Sequence, residues 1–237
     1  MTNSGSVAGW AAIVALAYAA AAQGASRPAV VELFTSQGCS SCPPADGLLG
    51  ELAGRSEVLA LAFHVDYWDE LGWRDRFELP QSSQRQSQYA RQLGLASVYT
   101  PQLLIDGKDD VLGSDRRRVE QLLAAPRSGI PVSATVQGDN LVVAVGAAAR
   151  TPGGEVTLVS YLPEAVTAIG RGENSGRALR EFNIVRSFLP LGSWRGAAIT
   201  WRVKISSLPA EARFVAVLVQ ESGPGAIIGA LKLALPR

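Results

Sequence analysis

Between Val30 and Asp46 the chain reads Val-Val-Glu-Leu-Phe-Thr-Ser-Gln-Gly-Cys-Ser-Ser-Cys-Pro-Pro-Ala-Asp. An apolar, β-branched run stops at a polar, glycine-bearing turn, and the turn delivers Cys39 and Cys42, the only two cysteines of the sequence. The C-x-x-C spacing brings residues i and i+3 to one helical face, within reach of a disulfide that closes without large backbone movement. Pro43 and Pro44 are tolerated in the first turn of a helix, where no N–H partner is needed. A buried strand, a turn and a helix opening on two thiols are therefore expected here.

Were Cys39 at the N-terminus of that helix, unpaired N–H groups and the helix dipole would favour its thiolate. Such thiols titrate at roughly 3.5 to 7.5, against about 8.5 for a free one. This makes Cys39 the expected nucleophile and Cys42 the resolving partner. A structural staple is the competing reading, but a bridge across two residues closes so small a loop that it removes little unfolded-chain entropy.

Downstream, Val58 to Asp66 reads as a second buried strand with a polar end. Gln81 to Leu93 reads as an amphipathic surface helix that Gly94 stops, and Gln102 to Ile105 as a third strand. The Asp106-Gly107 pair predicts a hairpin to a strand near Val111 to Gly113, and a helix from Asp115 to Ala125 follows, capped by Ser114 or Asp115. Strand, helix, strand, helix, hairpin, helix implies a mixed sheet covered by helices.

With that order on the page, Cys39-Ser-Ser-Cys42 after the first strand, Thr100-Pro101 before the third, and the closing hairpin and helix resemble a thioredoxin fold over residues 28 to 125. More narrowly, four stretches resemble a family of secreted thioredoxin-like proteins catalogued as a domain of unknown function. They are Val31 to Asp46, His64-Val-Asp-Tyr-Trp-Asp69, Tyr99-Thr-Pro-Gln102 and Arg171-Gly-Glu-Asn174. The resemblance implies that Pro101 is cis and faces the dithiol, where a backbone edge would pair with an extended substrate peptide. It is also a residue that any strand can start with.

Composition shifts to Pro, Gly and Ser at Ser128 to Pro131, which suggests a domain boundary. Beyond it come alternating runs at Val132 to Val136, Leu141 to Val145, Val156 to Tyr161, Leu179 to Phe188, Ala198 to Ile205, Phe214 to Gln220 and Ala226 to Leu235. Turn signals separate them in the rhythm of a β-sandwich. The expected organisation is an export segment at 1–25, an α/β thioredoxin-like domain at 28–126 and an all-β sandwich-like domain at 130–237.

The export segment rests on Val7 to Ala22, an uncharged apolar run followed by small residues where a signal peptidase would cut. It is shorter than the roughly 18 to 20 residues that span a bilayer comfortably. A periplasmic or secreted protein is expected, with an uncleaved anchor as the alternative and the sole route to a membrane. The net charge of +1 leaves no bulk field for nucleic acid or an acidic substrate. Arg116-Arg117-Arg118 reads as a solvated helix face.

His64, the single histidine, should stand near the C-terminal end of the second strand with Asp66 and Asp69 nearby. It reads either as a hydrogen-bonded residue that shapes the site or, with Cys39 and Cys42, as a metal ligand. Trp68 and Trp73 read as a rim for an apolar substrate or as packing. Arg171 to Arg177 reads as a loop folding over the dithiol or as an ordinary hairpin turn. One histidine and no G-x-S-x-G elbow give hydrolase chemistry little support.

The leading expectation is an exported thiol-disulfide oxidoreductase. Cys39, Cys42 and Pro101 are its catalytic residues, and Thr100, His64, Asp66 and Trp68 are substrate-contacting or site-shaping. No cofactor is needed beyond the redox-active disulfide. Its partners are a protein or small-molecule thiol or disulfide and a redox partner protein. The alternative is a copper-binding protein using Cys39, Cys42 and His64, in the manner of thioredoxin-fold copper chaperones, whose cysteines stand one residue further apart. A third reading is a structural or adaptor module with an idle dithiol.

Overall fold

The computed structural model describes residues 25–149, 151–223 and 225–236. The expected export segment, 1–25, therefore lies outside the described residues except for Ala25. No helix among the described residues is long and apolar enough to cross a membrane.

In chain order the elements are β1 (Ala25–Ser26), β2 (Ala29–Thr35), α1 (Pro43–Ala53), β3 (Val58–His64), α2 (Pro80–Leu93), β4 (Gln102–Ile105), β5 (Asp109–Leu112), α3 (Arg116–Leu123), β6 (Ser128–Gly129), β7 (Val132–Gln137), β8 (Asn140–Val145), β9 (Gly154–Ala168), β10 (Ala178–Trp194), β11 (Ile199–Lys204), β12 (Phe214–Gln220) and β13 (Ile227–Ala234). Eight strands form one mixed sheet in the order β13-β12-β9-β10-β3-β2-β4-β5, and β11-β8-β7 form a second sheet. β3 runs parallel to both its neighbours, β2 and β10, while the other pairs are antiparallel.

β2 and β3 are buried along their whole length because helices cover both faces, which is why they read as near-continuous apolar runs. Val31, Leu33, Ala60 and Ala62 pack against Leu48, Leu49 and Leu52 of α1 and Val119 of α3. On the opposite face Val30, Phe34, Leu61 and Phe63 pack with Tyr89 of α2. α1 also crosses β10, and a Cβ on Gly50 would stand 2.5 Å from the Phe182 ring, so only glycine permits that approach.

The hairpin forms where Asp106-Gly107 predicts it, with both residues at positive φ. The Asp106 carboxylate accepts from the Val30 N–H and pairs with Arg27 and Arg127, tying the hairpin to β2 and to the chain after α3.

The expected break between a domain at 28–126 and a separate sandwich at 130–237 gives way to a shared sheet. β9, β10, β12 and β13 extend the sheet that β2 and β3 begin. The joint is made at Asn183, which sits at positive φ and donates from its side chain to the Ala60 carbonyl, beside the Ile184–Ala62 pairing. Two-sheet packing does occur, in a smaller form. Leu141, Val143 and Val145 of β8 and Val203 of β11 bury against Val156, Leu158, Val215, Val217 and Val219 of the large sheet. Alternation marks which residues face inward, but it cannot say which sheet a strand joins.

Candidate functional site

At the C-terminal ends of β2 and β3 the chain leaves the sheet, and a cluster of buried polar side chains, among them Thr35, Gln37, Asp46, His64, Asp75 and Glu181, gathers there. Cys39 and Cys42 form a disulfide with Cα atoms 5.4 Å apart. Both are fully buried, although Ser40 and Ser41 between them are exposed. α1 begins at Pro43 with Cys42 as its N-cap, so Cys39 stands ahead of the helix rather than on its first turn. The Cys42 carbonyl accepts the N–H groups of Ala45 and Asp46, and the Cys42 N–H donates to the Cys39 carbonyl.

One helical turn beyond Cys42 lies Asp46, buried, accepting a 2.8 Å hydrogen bond from the Thr35 hydroxyl. Burial pushes its carboxyl up to about 7, against the smaller opposing pulls of His64 and of that hydrogen bond. A carboxyl titrating near neutrality can take or give a proton in ordinary buffer, and this one stands four residues beyond Cys42 on α1.

Thr35 pairs in register with His64 on β3, on the same face of the sheet. Nδ1 of His64 lies 2.7 Å from Asp75 Oδ2, and Nε2, 3.8 Å from Glu181 Oε1, has no hydrogen-bond partner. Burial alone would push the imidazole down. Asp75, Glu181 and Asp46 outweigh it and hold the imidazole charged, up to about 9. Burial likewise raises Asp75, but the imidazolium and the N–H groups of Gln37 and Phe77 hold it below the usual carboxylate range. Glu181 is raised, chiefly by burial.

Gln37 links these groups to the cysteine turn. Its N–H donates to Asp75, its side-chain nitrogen to Glu181 and Thr167, and its side-chain oxygen accepts from Trp73 Nε1. From the turn between β9 and β10, Asn174 Nδ2 donates to the Gln37 and Cys39 carbonyls at 3.0 Å, and Arg177 donates to Asn174 Oδ1. The Ser40 N–H donates to Glu173. On the other flank the Thr100–Pro101 peptide is cis, and Trp68 Nε1 donates to the Thr100 hydroxyl at 2.8 Å.

His64, Asp75 and Glu181 bring ligand-type atoms within 4.8 Å of one another. Their carboxylates, however, already accept from Gln37, Thr167, Phe77 and His64. A metal taken up on Nε2 would find Asp75 as the outer partner of the imidazole and Glu181 as one oxygen ligand. The triad is built first as a hydrogen-bonded support.

A family model described as "Protein of unknown function (DUF1223)" matches residues 30–220. The chain belongs to the DUF1223 family. Two solved structures resemble this DUF1223 protein over most of its length. Protein AGR_C_4864 of Agrobacterium tumefaciens is 33% identical, the match covering 88% of this chain and 95% of that one with a TM-score of 0.78. HBP35 of Porphyromonas gingivalis, 16% identical, covers 90% of this chain and 76% of its own at a TM-score of 0.59, a likeness of fold alone. None of the curated proteins matches. The DUF1223 match takes in both the cysteine turn and the Arg171–Arg177 turn.

Of the residues expected at the site, Cys39, Cys42 and His64 stand in this polar region or on the turn it supports, and Thr100 and Trp68 are bonded to each other. Asp66 does not partner His64. Its carboxylate accepts from Ser83 of α2, and the carboxylate on His64 is Asp75. Asp46, Gln37, Asp75, Asn174 and Glu181 make many of the hydrogen bonds of this polar region, and the sequence reading does not single them out individually. Asp46 and Gln37 lay inside the cysteine motif and Asn174 inside the Arg171 stretch. Asp75 lay in an irregular loop, and Glu181 offered one weak signal, a carboxylate within an apolar strand run.

Proposed function

We propose that this DUF1223 protein is an exported thiol-disulfide oxidoreductase with a thioredoxin-like arrangement of its first half. The observation that carries the reading is the C-x-x-C bridge at the start of α1, with a carboxyl that titrates near neutrality one helical turn beyond it. The parallel β2–β3 pair, the antiparallel β4 and the cis Thr100–Pro101 peptide before it support the fold half of the reading.

In the reduced state the Cys39 thiolate attacks one sulfur of a substrate disulfide. A mixed disulfide forms and one substrate thiolate leaves. Cys42 then gives its proton to the Asp46 carboxylate and attacks the Cys39 sulfur, which closes the bridge and expels the second substrate thiolate. Two electrons pass from the cysteine pair to the substrate. Run backwards, the same steps oxidise a dithiol. The substrate is a protein or small-molecule disulfide, and a redox partner protein restores the starting state. His64, Asp75, Glu181 and Gln37 position the cysteine turn, while Trp68, Thr100 and Pro101 form the flank that a substrate segment meets.

Cys42→Ser tests this directly. Incubated with disulfide substrates under non-reducing conditions, it should accumulate mixed disulfides through Cys39, and Cys39→Ser/Cys42→Ser should accumulate none. Equal absence from both would remove the reading.

Copper binding by Cys39, Cys42 and His64 is the second reading, favoured by the unpartnered Nε2 of His64. Stoichiometric copper in the reduced protein, lost on His64→Ala, is its test.

A further inference from the structure

Exchange chemistry needs a sulfur that an incoming thiolate can approach in line with the S–S bond. Neither sulfur is offered in this conformation, because Cys39 and Cys42 are both fully buried. The segment lying across the cysteine turn is the connection between β9 and β10. From Gly170 to Ala178 every residue is exposed except Asn174, which is completely buried. An otherwise solvated turn thus plants one side chain, and that side chain grips the Cys39 and Gln37 carbonyls. Glu173 adds one bond, to the Ser40 N–H.

The turn's other hydrogen bonds are largely its own. Ser175 N–H donates to the Gly172 carbonyl, Arg177 N–H to Asn174, Gly176 N–H to Ile169, and Arg177 Nη1 fixes the Asn174 side chain. Gly172 and Gly176 hold positive φ, and Trp73 packs beside Gly170 and Gly172. The turn is a small preformed body whose hydrogen bonds to the cysteine turn come from Asn174 and Glu173. Such a body can swing without losing its own structure, and lids of this kind are drawn from the less stable parts of a fold.

We propose that the Gly170–Arg177 turn is a gate over the Cys39–Cys42 bridge, latched by Asn174, and that the bridge exchanges with thiols only from the opened form. This rests on the oxidoreductase reading and names the regulation of its site. A partner that competes for the Cys39 and Gln37 carbonyls, with amide donors of its own, would open the gate as it docks. Asn174 is a positioning residue and takes no part in bond making.

The test is the rate at which dithiothreitol reduces the bridge in the folded full chain, followed by thiol alkylation. One dithiothreitol thiolate attacks a bridge sulfur, and a new S–S bond forms as the old one breaks. The leaving cysteine takes a proton, and the second dithiothreitol sulfur displaces the other cysteine. Two electrons pass to the protein and the reagent leaves as its cyclic disulfide.

With a gate, the wild-type rate levels off as dithiothreitol rises, the plateau being the opening rate. Asn174→Ala and Glu173→Ala each raise that plateau, on the order of tenfold for each bond lost. Glu173 is exposed, so its variant keeps the test intact should Asn174→Ala fail to fold. A wild-type rate that stays proportional to dithiothreitol, matched by both variants, overturns the gate and leaves the oxidoreductase reading standing. A bridge that resists dithiothreitol in the folded wild type and in both variants overturns the two together.

Discussion

The Thr35 hydroxyl donates to the Asp46 carboxylate at 2.8 Å, joining the end of β2 to the turn of α1 that follows Cys42. The contact sits on the face of the sheet that carries His64, so a strand end, a helix start and a charged imidazole meet in one buried place. The proton that Asp46 holds there gives the site its first pH signature.

Asp46 is held up to about 7 by burial, so below that pH the folded protein keeps a proton that the unfolded chain loses near the ordinary carboxylate value. The folded state then binds more protons than the unfolded one, and stability falls as pH rises from about 4 to about 7. Asp46→Asn removes this penalty and keeps the Thr35 contact. It should stabilise the protein by about 1 to 4 kcal/mol at pH 8 and by little at pH 4, read by urea denaturation. On the proposed exchange mechanism, in which Asp46 takes the Cys42 proton, the same variant of the reduced protein should close the mixed disulfide about one to two orders of magnitude more slowly near pH 8.

His64 gives a second pH signature. Its folded value, about 9, lies above its ordinary value, so the stability that the charged imidazole contributes is complete below about 6.5 and is lost as pH rises through 9. His64→Ala leaves Asp75 and Glu181 facing each other without the cation. At pH 6 the loss should be about 3 to 5 kcal/mol, and clearly less at pH 9.5. Equal losses at both pH values would mean that the imidazole is not charged in the folded protein.

Glu32 supplies a control on the opposite face of β2. It is fully buried, paired to Arg85 Nε at 2.7 Å, and it accepts from Tyr89, which in turn accepts from Gln220. Arg85→Ala should cost about 3 to 5 kcal/mol, because it leaves a buried carboxylate unpaired. Provided the variant is folded, the reduction rate of the Cys39–Cys42 bridge should not change.

How much of this could be read beforehand depends on range. α1 and the hairpin at Asp106-Gly107 announce themselves through local chemistry, Pro43-Pro44 for one and an Asp-Gly pair for the other. Strand positions after Val132 follow from alternation, closely for five of the seven runs, while β9 runs on to Ala168 and β10 to Trp194, well past the expected Tyr161 and Phe188. What local pattern cannot carry is partnership. Nothing near Asn183 indicates that β10 will join β3, and nothing near Glu181 or Asn174 names the cysteine turn more than 130 residues earlier as their partner. Asp66 misled for the same reason. Residues two apart share a face only while the strand continues, and β3 ends at His64, so Asp66 lies past it and takes Ser83 while the loop brings Asp75 to the imidazole.

Gly38 tests the packing of the flank. A Cβ there would stand 3.0 Å from the Trp68 Cβ, and Trp68 is the donor to Thr100. Gly38→Ala should therefore cost about 1 to 3 kcal/mol through displacement of the indole. A shift in tryptophan emission should accompany the loss, and unchanged emission would place the strain elsewhere.

The most direct measurement is the reduction potential of the Cys39/Cys42 pair, obtained by equilibrating the folded protein in glutathione buffers and counting alkylated thiols. An exchange-active pair should titrate reversibly as a two-electron couple, at roughly −120 to −270 mV. A bridge that stays closed to below about −300 mV would be a structural staple and would contradict the account.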